Sequence, residues 1–277
     1  MNRRSFLTSV AASASTLALA SPALALSRPD VIIGWTTWSD AEVTTKLAAR
    51  VLRNQGFDVE LALADIEAQF RTISDGSIDM MMMSWEPGLH APYLRRYGQN
   101  LTDLGTLYEG SIGLAVPEWV TDVNSISDLP GSNINAIVGI DPGAGLMATT
   151  KDAMKAYNLD MPLEEGTGPK MVRALAKAQR SKDPIVVTAW RPHAKFGMFN
   201  MRYLEDPKGL YADKSEIHAR ANSDFVSKRP DIARIIQNMN MDVNAIESIM
   251  VNARQVGVDE AVNSWMSENE ATIASWL

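Results

Sequence analysis

Asp30-Val31-Ile32-Ile33-Gly34 is a short β-branched run that ends in glycine, and Trp35 follows it. Asp40–Asn54 then places Val43, Leu47, Val51 and Leu52 on one side of a helix. Phe57–Leu63 alternates like a strand, and Asp65–Gly76 returns to helical spacing with Gly76 as a C-cap. Ile78–Ser84 is again an apolar run, ending at Trp85. Strands alternating with helices predict an α/β fold, with a mainly parallel sheet flanked by helices.

The alternation continues outward from this unit. Pro87–Arg96 reads as a helix with Pro87 in its first turn. Ile112–Val116 is a strand that stops at Pro117. Thr121–Leu129 is polar and reads as a boundary or a surface helical turn. Ile134–Ile140 is the next strand, followed by a glycine-rich loop and the helix Gly145–Tyr157. Gly168–Arg180 is amphipathic, Pro184–Ala189 is a strand, and Arg202–Lys208 reads as a return linker. From about Asp224 the chain is helical, with segments expected at Asp231–Val243 and Val258–Trp276.

Composition excludes several function classes. The 277 residues include no cysteine, so disulfide scaffolds, thiolate metal sites and thiol nucleophiles are ruled out. Three scattered histidines (His90, His193, His218) give no His-based metal site, and no metal or cofactor is expected. The net charge of −7 argues against a nucleic-acid partner, which needs a basic face. Sequence signatures of a serine nucleophile elbow or a zinc-protease helix are missing, which points away from an enzyme.

The first 25 residues read as an export signal. Arg3 and Arg4 precede an uncharged run of small and apolar residues that closes on Ala23-Leu24-Ala25, a small-x-small cleavage pattern. Arg3-Arg4-Ser5-Phe6-Leu7 resembles the twin-arginine variant of such signals. The expectation is a periplasmic protein without a lipid anchor.

Three apolar strands end alike. Gly34 leads into Trp35, Ser84 into Trp85 and Ala189 into Trp190. Ligands of open α/β sheets bind beyond the carboxyl ends of the strands, so the pattern aims three indoles at the ligand. A fourth strand ends in Asp141-Pro142-Gly143-Ala144-Gly145, which opens a helix whose N-terminus attracts anions. Converging aromatic faces suit a quaternary ammonium, which has no N–H to donate. Each ring contributes roughly 0.5–2 kcal/mol. A carboxylate on the same ligand would need donors, for which the backbone at Gly143 and Ala144 and the ring of His90 are candidates. Trp119, Trp265 and Trp276 read as core instead, and Trp38 as a helix-entry residue. Met80–Met83 reads as buried strand rather than a soft-metal site.

With these residues in order, the chain resembles the substrate-binding proteins of ABC importers for glycine betaine, choline and related compounds. The resemblance rests on Gly34-Trp35, Ser84-Trp85-Glu86-Pro87 with His90, Tyr108, Trp190-Arg191-Pro192-His193 before Phe196, and Tyr203-Leu204-Glu205-Asp206-Pro207. It implies a two-lobed fold of the periplasmic-binding-protein type with the ligand between hinged lobes. Lobe one would be 26–116 plus 206–277, and lobe two 117–205. It implies a monomer whose partner is a membrane permease, and a cage of Trp35, Trp85 and Trp190 that Tyr108 can supplement. Choline-type members carry an acidic residue two positions after the first cage tryptophan. Counted from Trp35 that position is Thr37, which favours glycine betaine over choline. An amino acid or sulfonium receptor is the alternative, with Arg191 as a carboxylate partner.

Overall fold

Nine strands among the described residues carry the architecture. They are β1 (Val31–Trp35), β2 (Val59–Leu63), β3 (Met80–Glu86), β4 (Leu101–Pro117), β5 (Ile137–Val138), β6 (Leu163–Glu164), β7 (Val186–Arg191), β8 (Met201–Tyr203) and β9 (Ser215–Asn222). They come from a computed structural model describing residues 28–211 and 214–277. The expected export signal, residues 1–25, lies outside the described residues. No helix among the described residues is long and apolar enough to cross a membrane.

The strands line up as β2-β1-β3-β9-β4-β7-β5-β6, with β8 against β4. The parallel pairing expected from the alternation is present at β1–β2, β1–β3, β5–β6 and β5–β7. The pairs made by β9, and those of β4 with β7 and β8, are antiparallel, so the sheet is mixed. β9 escapes a reading by hydrophobic runs because its inward positions are Ile217, Ala219 and Ala221. Two of the three are alanines, and His218 and Arg220 stand between them.

β4 has 17 residues, far more than the five expected as Ile112–Val116. Its first part pairs with β9 through Gly110, and its second pairs with β7 from Ser111 onward. One strand thus stitches two half-sheets together. The first part hides from sequence reading because its register shifts between Asp103 and Tyr108, around Gly105 with φ near +101°. The change of partners falls at 110–111, before residue 117, where the resemblance puts the start of lobe two.

Local rules explain most of the helices. Asp65 caps the helix Ile66–Ser74 by accepting from the Ala68 N–H at 2.8 Å. The expected helix Pro87–Arg96 is shorter, Ala91–Tyr97, because Pro87–His90 forms a turn. Asp242 ends the segment expected at Asp231–Val243: the helix Pro230–Asn238 stops, and Asp242 caps the next one, Val243–Val256. The last segment divides into Val258–Glu268 and Glu270–Trp276. The stacked rings of Trp265 and Trp276 pack there, 6.2 Å apart. Met80 to Met83 are all fully buried in β3, which is paired on both sides. That suits apolar side chains on both faces of the strand.

Candidate ligand-binding site

A small cavity of about 30 Å³ lies between the two half-sheets. Trp38, Asp40, Trp85, Leu89 and His90 line it from the β1–β3 side. Ile112, Ile140, Ala144, Gly145, Leu146 and Trp190 line it from the other. Its wall is mostly apolar with a few polar groups, the usual make-up of ligand sites.

Two of the three expected tryptophans meet here. Trp85, next to last in β3, is 3 % exposed, and Trp190, next to last in β7, is 5 % exposed. Gly110 makes room for the Trp85 indole, since a Cβ there would stand 2.7 Å from its ring. The ring on the first strand's side is Trp38, not Trp35. Trp35 is the last residue of β1, and its carbonyl accepts from Gln69 Nε2 at 2.6 Å. The chain must turn before its helix starts at Ser39. The residue just before that helix, Trp38, therefore reaches the cavity. The helix-entry reading of Trp38 was correct about its place in the chain and missed what that place faces.

This difference predicts opposite outcomes for neighbouring substitutions. Trp38→Ala is expected to weaken ligand binding by about 1–2 kcal/mol, and Trp35→Ala to leave affinity within about twofold of wild type. Isothermal titration of both variants checks this. Equal losses would move the first ring back to Trp35.

Asp40 stands two positions beyond Trp38 and is fully buried. Its Oδ1 accepts from Trp190 Nε1 at 2.9 Å and its Oδ2 from the Tyr108 hydroxyl at 3.0 Å. Burial raises its pKa, while these two donors and the first-turn amides oppose the rise. Tyr108 is buried behind this carboxylate and meets the cavity only through it. Asp40 carried no signal as a strand-end residue, and only the correct first tryptophan points to it.

His90 lies between Trp38 and Phe70, 5.9 and 5.5 Å from their ring centroids. Its Nδ1 accepts from the Trp85 N–H at 2.9 Å, so in the neutral ring the proton sits on Nε2. Burial lowers its pKa to about 3. The ring is therefore a neutral donor across the physiological range. Among the described residues Nε2 finds no acceptor.

The helix Gly145–Tyr157 brings its N-terminus to the cavity. Ala144 precedes it without a side-chain cap, and Ala144, Gly145 and Leu146 are the lining residues. Gly143 lies just outside, its carbonyl accepting from the Tyr93 hydroxyl at 2.9 Å. The first-turn amides of Gly145 and Leu146 find no partner among the described residues, which leaves them open to an anionic group. Arg191 does not face the cavity. It grips Glu247 with two bonds, 2.9 and 2.6 Å long. Glu86, Asp103 and His218 bring possible ligand atoms within 4.8 Å of one another, but Arg220 binds both carboxylates and fills the place of a cation.

Residues 29–268 match the substrate binding domain of ABC-type glycine betaine transport systems. The chain belongs to this family. Its members bind solutes for ABC transporters and are not enzymes. The glycine betaine/carnitine transport binding protein of Listeria monocytogenes is 34% identical over 152 residues, 53% of this chain and 50% of that one. The chain thus spans about half the length of that curated relative. Lactococcal OpuAC, in its closed form with glycine betaine, superposes with a TM-score of 0.85 at 26% identity, covering 89% of this chain and 98% of that one. A glycine betaine/L-proline-binding protein from Borrelia burgdorferi shares the fold, with a TM-score of 0.83 at 23% identity over 89% of this chain and 96% of that one.

Proposed function

We propose that the protein is a monomeric periplasmic receptor that binds a quaternary-ammonium solute, first of all glycine betaine, and hands it to the membrane permease of an ABC importer. The observation that carries this reading is the meeting of Trp38, Trp85 and Trp190 on one small cavity. Three indoles hold a methylated cation by their faces and by excluding water. His90 Nε2–H and the open amides of Gly145 and Leu146 are the donors a carboxylate needs at the other end. Closure of the two lobes over the ligand would bring the Trp190 wall onto the Trp38 and Trp85 wall. Support for the ligand class comes from the family itself and from the glycine betaine complex of lactococcal OpuAC.

Choline is the second reading, and Asp40 favours it. Counted from Trp38, the acidic residue of choline-type members is present at Asp40 rather than missing at Thr37. A receptor for ordinary amino acids fits less well, because the arginine it would use is held by Glu247.

A thermal-shift screen of the purified protein tests the reading. A ligand at 100 times its Kd stabilises the fold by about 2.7 kcal/mol. Shifts with glycine betaine, choline or other methylated ammonium compounds are expected. Shifts with amino acids alone would overturn the cage. His90→Ala is expected to weaken glycine betaine about tenfold and choline less than about threefold, because only the former offers a carboxylate to Nε2–H. His90→Gln, which keeps a donor and an acceptor, should recover part of the loss. Equal losses for both ligands would remove His90 from the carboxylate site.

A further inference from the structure

Lys195 is the first residue of the short helix Lys195–Phe199 and has no exposed surface. Its Nζ stands 3.8 Å from the centroid of the Trp190 ring and 5.6 Å from that of Phe196. The Trp190 carbonyl, 3.4 Å away, is its one acceptor among the described residues. Among the described residues it forms no direct ion pair. Glu247 acts on it from a distance, but Arg191 and the His193 N–H already hold that carboxylate. Asp40 is the other charge that acts on it.

Trp190 therefore joins two buried ionisable groups. Asp40 accepts at the indole edge, 2.9 Å from Nε1, and Lys195 lies over the face. Lys195 is not among the residues that line the cavity, so its amine meets the site through the Trp190 ring. A buried amine without a partner costs several kcal/mol, and packing alone does not need one, since methionine fills a similar volume. A buried carboxylate carries a similar cost. With one proton between them, on the amine or on the carboxyl, the two groups carry no net charge; burial works against the charged amine and lowers its pKa, and the carboxylates of Asp40 and Glu247 oppose that.

We propose that Lys195 is a specificity-determining residue: by cancelling Asp40 across Trp190 it leaves the cage without net charge, and so favours zwitterionic methylated ammonium ligands over purely cationic ones. This rests on the cage reading above. A zwitterion such as glycine betaine enters a neutral cage without leaving a charge unmatched. A cation such as choline carries one charge that only Asp40 could offset, and Lys195 has already done so. Without the amine, the Asp40 that favours choline would act alone. Lys195 thus accounts for an acidic residue in a site that also offers donors to a carboxylate.

The test is the ratio of glycine betaine to choline affinity, measured by isothermal titration at fixed pH and ionic strength. Lys195→Met is expected to shift the ratio towards choline by about tenfold or more, with choline binding tighter than in wild type. Asp40→Asn should shift it the opposite way. The double variant K195M/D40N should return to within about threefold of wild type. An unchanged ratio in K195M overturns the proposal. If K195M fails to fold, as its melting curve would show, D40N decides alone, and an unchanged ratio there overturns it equally. Wild-type protein that binds neither ligand would instead overturn the cage reading, and this proposal with it.

Discussion

Trp190→Ala is expected to weaken glycine betaine binding by about 3 kcal/mol, roughly a hundredfold. The change removes one face of the cage. It also removes the N–H that satisfies Asp40 Oδ1 at 2.9 Å, leaving a buried oxygen without its donor. An unmatched buried acceptor alone costs about 1–3 kcal/mol. Trp190→Phe separates the two effects, because it keeps an aromatic face and most of the packing. It is expected to lose about tenfold, the part due to the N–H. Titration calorimetry gives the affinities, and near-ultraviolet circular dichroism confirms that each variant is folded. Wild-type affinity in Trp190→Ala would exclude the ring from the cage.

Gly145→Ala is expected to lower affinity by at least about tenfold while leaving the unliganded protein as stable as wild type. A Cβ at Gly145 would stand 2.6 Å from the Leu89 carbonyl oxygen and 2.9 Å from Leu89 Cβ. Gly145 opens a helix on one side of the cavity, and Leu89 lies in the turn after β3 on the other. The added methyl therefore wedges the two walls apart at this contact. Alanine is the better helix former, and Gly145 is not among the residues of positive φ, so the helix itself does not suffer. The expected signature is an unchanged melting temperature without ligand and a much smaller shift with it. An unchanged affinity would show that this contact is not part of closure.

Much of the fold was legible because its periods are strong. Val43, Leu47 and Val51 recur at helical spacing, and the helix Ser39–Asn54 buries all three. The runs at β1, β3 and β7 are apolar on both faces because each is covered on both sides. The strands that escaped are those whose pattern is broken. β9 turns alanines inward, and the first part of β4 shifts register around Gly105. Both are antiparallel partners brought from distant segments, and nothing local announces them.

The site divides along the same line. Trp85 and Trp190 were visible because each closes an apolar run, and both line the cavity. Trp38 was not, because its position depends on how far the chain runs past β1 before turning into the helix. The sequence by itself determined the strand–helix alternation and pointed to two of the three tryptophans that line the cavity, to His90 and to the helix N-terminus near Gly143–Gly145. These follow from periodicity and from the geometry of strand ends and helix starts, which are local. The tertiary structure alone decided that Trp38 replaces Trp35 and that Asp40 reaches Trp190, 150 positions away. It alone buried Lys195 against that ring. Such pairings arise only when the two half-sheets close on each other, because burial and the shared hydrogen bond belong to both and to neither segment alone.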